Sequence, residues 1–361
     1  MTLTYLDLGP AQRAALDSLP FDGNHLISGP PGSGKSLLAA QRAVMLSLTG
    51  TPAVLLTRSY LLHQSLSSVV HALGPRDRGV RVATAHSWLA DWYGPKAPRA
   101  EDGWYDWAAF YQRAAETEPP PGLTLVVDEG QDLPPGFYRL CRVLGARVTV
   151  FADECQRLTD ANSTLAEIVQ RLGDCTRLEL DGNHRNTRQI AAFAAHFHTG
   201  AGLPVLPDRD GPWPRLHRLP DRGAADLLVT LAQRHPDHTI GVIVNSTHTQ
   251  FSLLGSLERR APRLKPQLYT SQATGGRYRT LDLARPGIVL VHRASAKGLG
   301  FDTVVIPDTH TDAAVDPTSA ALRMTYYVLA TRARHELHLA HEGEHEPPLL
   351  AQIGTGELVR G

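Results

Sequence analysis

The sequence predicts an α/β chain of two domains, each a mostly parallel sheet with helices on both faces. Short β-branched runs bounded by turn residues alternate with helix-like stretches along all 361 residues, the pattern of a covered parallel sheet. The runs form two series, over 26–28, 53–57, 80–83, 123–127 and 147–151, then over 178–180, 239–244, 287–291, 303–306 and 336–339. A glycine-rich turn and an acidic strand end occur only in the first series, so two sheets with different tasks fit better than one wide sheet. The boundary is placed near Gly173, giving domains 1–172 and 173–361, with second-domain helices expected over 187–197, 224–234 and 320–331.

The glycine-rich turn is Gly29, Pro30, Pro31, Gly32, Ser33, Gly34, Lys35 and Ser36, following the apolar run Leu26-Ile27. Between a strand and a helix, such a turn gathers backbone N–H groups at a helix N-terminus, where phosphate oxygens bind. Lys35 supplies the point charge for the outer phosphates and Ser36 a magnesium ligand. Lysine occurs only at 35, 96, 265 and 297, so its presence at the one position the loop requires is informative. The second half of the pair is Asp128-Glu129-Gly130-Gln131-Asp132, leaving the carboxyl end of the strand over 123–127, where open parallel sheets place their ligands. Asp128 is assigned to magnesium and Glu129 to the attacking water. The strand over 147–151 leads to Asp153 and Gln156, whose neutral amide suits a sensor of the terminal phosphate. These residues point to binding and hydrolysis of ATP with Mg2+.

In the second domain Asn183-His184-Arg185-Asn186 and Arg332 each place an arginine at an element end. As a pair, Arg185 and Arg332 suit arginine fingers that complete a triphosphate site and couple hydrolysis to motion. The bulk numbers add limits. Formal charge sums to zero, so any nucleic-acid surface must be a local patch. Cys141, Cys155 and Cys175 show no paired spacing and read as core thiols. No stretch approaches the ~20 apolar residues of a membrane span, and a cytoplasmic location is expected. His335, His338, His341 and His345, among Glu342, Glu344 and Glu346, read as a solvated tail.

Taken in order, these segments resemble the motif series of the UvrD/Rep-type superfamily I helicases. Leu8 to Gln12 resembles the glutamine motif, residues 29–36 the phosphate loop, 55–59 and 84–88 the first strand-contact motifs, and 128–132 the acidic motif. Residues 153–156 resemble the phosphate sensor, 183–186 the asparagine-tyrosine-arginine-serine motif, and 296–302 and 327–333 the last two motifs. The resemblance covers about residues 8–340. It implies two RecA-like P-loop NTPase domains with ATP between them, Gln12 and His184 near the adenine, Gly298 at the nucleotide, and single-stranded DNA across the top moving in the 3′-to-5′ sense. Arg58, Tyr60, His86 and Trp88 are the candidates for the strand surface, with core packing the alternative for Trp88. His184 replaces the family's tyrosine, Leu37 a common arginine, Gly300 a glutamate and Ala294 a histidine, and the aromatic residues that usually follow the sensor glutamine are absent from 157–162. The interval 89–122 is too short for the inserted subdomains of processive members.

Two functions follow as expectations. One is an ATP-driven translocase or helicase on single-stranded DNA, with RNA still open. The other is a nucleic-acid-stimulated ATPase switch that does not unwind and regulates a partner such as a nuclease in DNA repair or antiviral defence. A small-molecule kinase explains neither Arg185 nor the Gln131-Asp132 pair.

Overall fold

A computed structural model describes residues 5, 8–73, 79–118, 120–153, 163–199, 205–220, 223–272 and 277–361. The chain divides into two compact units, 1–181 and 182–361.

The first unit holds β1 (Asn24–Ser28), β2 (Ala53–Thr57), β3 (Val80–Thr84), β4 (Thr124–Val127), β5 (Arg147–Ala152) and β6 (Cys175–Glu179). They form one sheet in the order β3-β2-β4-β5-β1-β6, every pair parallel. Consecutive strand residues point to opposite faces, and each face has its own core. Leu26, Leu56, Leu125, Val127, Val148 and Val150 pack with Phe110, Phe137 and Leu140 on one side. Ile27, Leu55, Val126 and Phe151 pack with Leu38, Ala39, Ala43 and Leu46 on the other. Because both faces are covered, β4 is buried along its whole length and reads as an unbroken apolar run.

The second unit holds β7 (Arg215–Leu219), β8 (Thr239–Val244), β9 (Gln267–Tyr269), β10 (Gly287–His292), β11 (Phe301–Ile306), β12 (Ala333–Glu342) and β13 (Val359–Arg360). Their order is β13-β7-β12-β11-β8-β10-β9, again with every pair parallel. Helices Ala224–Arg234 and Thr247–Arg260 cover β8 and β10 through Leu228, Leu231, Leu254 and Leu257.

Two expectations change. The run over 178–180 does not open the second series. It belongs to β6, which pairs with β1 from Asn24↔Cys175 to Ser28↔Glu179, so the division falls after Asp181 and not at Gly173. The histidine-rich stretch is no tail. β12 lies between β11 and β7, and His338 and His341 are buried within it. No helix among the described residues is long and apolar enough to cross a membrane.

Candidate functional site

In the first unit the described candidate residues follow the carboxyl ends of strands, except Gln12, which lies in helix Pro10–Asp17 before β1. The loop after β1 turns into helix Lys35–Leu48 through Gly34, whose φ of 92° is left-handed. A side chain there would also strike Gln12, since a Cβ would lie 2.2 Å from its Nε2. Gln12 itself is buried, with Nε2 donating to the Ser33 carbonyl at 2.9 Å and Oε1 accepting from Gly9 N at 3.0 Å. It therefore braces the loop in this structure.

Lys35 curls into the loop. Its ammonium donates to the carbonyls of Gly29 at 2.6 Å and Pro30 at 2.9 Å, and to Asp153 Oδ2 at 3.3 Å, with both partners of that ion pair almost fully buried. A desolvated ammonium needs such acceptors, and terminal phosphate oxygens offer the same chemistry. Asp128 follows β4, and its backbone N–H donates to Leu56 O at 2.8 Å. It is 1% exposed and hydrogen-bonded to Ser36, but Oδ2 has no hydrogen-bond partner among the described residues. Burial first, then the neighbouring Glu129 carboxylate, push the Asp128 carboxyl up to about 7, against the opposing pull of Ser36 and Lys35. An orphaned buried carboxylate oxygen beside a hydroxyl and a second carboxylate is a donor set that fits a hard divalent cation, so Ser36 and Asp128 fit Mg2+.

Glu129 holds a left-handed backbone, φ 54° and ψ 47°, which costs on the order of 1–3 kcal/mol in a residue with a side chain. Gln131 shows what keeps its carboxylate in place. Its Nε2 donates to Glu129 Oε2 at 2.6 Å, while its Oε1 accepts from Asp153 N at 2.9 Å, so one buried amide ties the end of β4 to the end of β5. That positioning role was not legible in the acidic motif. Gln156, the expected sensor, lies outside the described residues.

The strand-surface candidates separate. Arg58 and Tyr60 are exposed, and Tyr60 stacks on His63 with ring centres 5.7 Å apart. His86 stacks on Trp104 at 4.2 Å, and Arg58 Cζ lies 5.5 Å from the centre of that same indole. Burial first, then Arg99 and Arg58, hold the His86 imidazole below its ordinary range. Trp88 is a core residue, 5% exposed and edge-on to Phe137, so its alternative assignment holds and it presents no ring face outward. The ring bracketed by His86 and Arg58 is Trp104, which sequence reasoning missed because it stands in an interval with no motif.

In the second unit the candidates gather at the amino ends of β11 and β12. Asn183 Oδ1 accepts from the backbone N–H groups of Arg185 and Asn186, both at 3.1 Å, closing a tight turn after which helix Arg188–Ala195 begins. Asn186 is buried, and its Nδ2 donates to the carbonyls of Thr331 at 3.2 Å and Ala333 at 2.5 Å. Arg185 is half-buried and His184 exposed. Gly298 is left-handed with φ 79°, in the turn before β11. Arg332 is 1% exposed, with Nε donating to Val328 O at 2.9 Å and Nη1 to Leu299 O at 3.3 Å. Expected as a finger, Arg332 here fastens the turns before β11 and β12, and its own carbonyl accepts from Phe301 N at 2.9 Å.

No protein-family profile and no curated protein sequence matches this chain. Among solved structures it is similar to S. cerevisiae Dbp5 bound to RNA and ADP BeF3, with a TM-score of 0.55 and 14% identity over 99% of this chain and 94% of that one. It is also similar to the C-terminal domain of a possible DNA helicase from Lactobacillus plantarum, with a TM-score of 0.37 and 25% identity over 49% of this chain and 97% of that one. A third likeness is to PRRSV helicase, with a TM-score of 0.46 and 13% identity over 92% of this chain and 54% of that one, so the chain spans about half its length. The fold matches that of Dbp5: two RecA-like α/β domains, each a parallel sheet with helices on both faces.

Proposed function

We propose that this chain hydrolyses ATP in response to single-stranded DNA and converts the hydrolysis into movement along the strand, as a compact UvrD/Rep-like helicase or translocase running 3′ to 5′. The observation that carries the reading is the prepared polar site of the first unit: a buried Lys35 with its charge turned into the glycine-rich loop, beside a buried Asp128 oxygen that no group among the described residues satisfies. Mg2+ bound to Ser36 and Asp128 would neutralise phosphate charge. Lys35 binds the outer phosphates, and Glu129, held by Gln131, orients and deprotonates the water. Arg185 supplies the cation needed as charge develops on the transferred group. Arg58, Tyr60 and His86 take the strand, where each stacked base is worth ~1–3 kcal/mol.

One observation favours a second reading, a nucleic-acid-stimulated switch that signals to a partner without unwinding. With Trp88 and Trp104 buried, Tyr60 is the exposed ring in the candidate strand surface, a thin platform for stepping.

The test is ATP turnover against a panel of single- and double-stranded DNA and RNA, followed by strand displacement on a duplex with a 3′ tail. Turnover should rise with single-stranded DNA and vanish in Lys35→Ala and Glu129→Gln. Equal turnover with and without every nucleic acid would remove both readings, whereas stimulated turnover without displacement selects the switch.

A further inference from the structure

Two ties hold the loop of Arg185 against the turn that carries Arg332 and the start of β12, which carries Arg334. One is the buried Asn186 amide on the Thr331 and Ala333 carbonyls. The other comes from Arg209, an exposed residue in an irregular stretch. Its Nη2 donates both to the carbonyl of Arg185 and, at 2.6 Å, to the carbonyl of Arg334. Arg209 is anchored in turn, because its carbonyl accepts from Arg188 N at 2.7 Å and the following Gly211 N donates to Gln189 Oε1 at 2.7 Å. The guanidinium is therefore a strut with a fixed base.

What the strut holds is electrostatically unfavourable. A Cβ built on Gly300 would lie 3.6 Å from Arg185 Nε and 3.7 Å from Arg334 Nε, so two guanidinium groups converge on one glycine. Arg209 adds a third cation, and burial together with Arg334 pushes its own pKa down. Asp302, bonded to Arg334 at 3.1 Å, offsets one of these charges. Like charges gathered beside a residue with no side chain form an arrangement that an anion stabilises.

We propose that Arg209 is a positioning residue for nucleotide hydrolysis, fixing the Arg185 loop to the amino end of β12 so that the Arg185 guanidinium is presented in one place beside Gly300. The proposal rests on reading Arg185 as the transition-state cation. Displacing a catalytic group by about 1 Å costs on the order of 10²-fold, which sets the scale expected for loss of the strut. Both carbonyl bonds leave from one nitrogen, so a lysine ammonium can replace them in part.

The experiment measures kcat and KM for ATP with a saturating single-stranded oligonucleotide in the full chain, for Arg185→Ala, Arg209→Ala and Arg209→Lys, with amide hydrogen exchange over 183–188 and 331–335. Arg209→Ala should lower kcat by about 10- to 100-fold with KM within severalfold. It should also raise exchange in both segments and keep its melting temperature, while Arg209→Lys should recover a substantial part of kcat. Wild-type kcat in Arg209→Ala, with Arg185→Ala impaired, overturns this proposal alone. Loss of kcat that lysine does not restore, accompanied by a lowered melting temperature, shows a merely structural role and overturns it as well. Unchanged turnover in Arg185→Ala instead removes the reading on which it rests, whatever the exchange shows.

Discussion

Each unit has its own parallel sheet, and the two carry their candidate chemistry at opposite strand ends. In the first, residues 29–36, Arg58, His86, Asp128 and Asp153 all follow strands; in the second, Arg185, Gly298, Arg332 and Arg334 gather where β11 and β12 begin. The difference has a physical consequence. Carboxyl ends of strands lead into helix N-termini, where free N–H groups and the positive end of the dipole attract phosphate, so in the proposed reading the backbone does most of the binding and one lysine suffices. Amino ends of strands receive the negative ends of helices, such as Ala320–Ala330 just before Arg332. There the backbone repels an anion, and only cationic side chains can hold one. Arg185 and Arg334 bring that charge to Gly300, while Arg209 and Arg332 are bonded to carbonyls at the same end.

The two expected fingers allow this comparison to be broken. Arg185 is half-buried at the mouth of its turn, whereas Arg332 is a core residue bonded to carbonyls of its own unit. Arg185→Ala should leave ATP binding within severalfold and the melting temperature unchanged, and lower turnover on the order of 10³-fold. Arg332→Ala should lower the melting temperature, because it takes the guanidinium donor from the Leu299 carbonyl, at a cost of ~1–3 kcal/mol, and leaves the Val328 carbonyl with the Thr331 hydroxyl. If both variants melt like the wild type and lose turnover equally, the distinction fails and Arg332 acts on the nucleotide directly.

A smaller effect is expected within the first unit. Gln131 touches no phosphate in this reading, yet its amide links Glu129 to Asp153 N. Gln131→Ala should reduce kcat by about 10- to 100-fold while leaving nucleotide affinity within severalfold, because it removes orientation and not charge. Gln131→Glu should be the more damaging variant, since it sets a second carboxylate against Glu129. A Gln131→Ala protein that weakens ATP binding as much as it slows turnover would place the amide in ground-state binding instead.

Much of this was legible in the sequence, for local reasons. The strands over 53–57 and 239–244 and the helix over 224–234 appear with those limits, because each is a continuous apolar or amphipathic run closed by turn residues. The glycine-rich turn over 29–36 and the acidic strand end were equally plain, since each is written in adjacent residues. What escaped depends on partners distant in sequence. β6 looks like any other strand until its pairing with β1 is known. β7, reading Arg-Leu-His-Arg-Leu, has two apolar residues in five and is a strand because β12 and β13 flank it. Trp104 and Arg209 lie in irregular segments, where no periodicity marks a residue and only the fold shows what it touches.

Buried histidine offers the mildest test of the comparison. Among the described residues the first unit buries only His25, with its Nε2 on the Asp22 carbonyl at 3.0 Å, whereas the second brings His217, His338 and His235 together around Glu336. His217 Nε2 meets His338 Nδ1 at 3.0 Å, His338 Nε2 meets Glu336 at 3.0 Å, and the other oxygen of Glu336 meets His235 at 3.0 Å. Burial, then His338, then Arg215, push the His217 pKa down to about 4. In the unfolded chain an imidazole titrates near ~6.5, so between that value and the folded one the unfolded state binds the extra proton. Stability from this group is complete above the unfolded value and declines as pH falls through the window. Glu336, held low chiefly by its hydrogen bond to His338, loses stability in the same direction at more acid pH. The melting temperature should therefore fall as pH is lowered from 6.5 toward 4, and His217→Gln should flatten the slope. An identical slope in His217→Gln would mean that the ring is protonated in the folded protein and that the β7–β12 contact tolerates the charge.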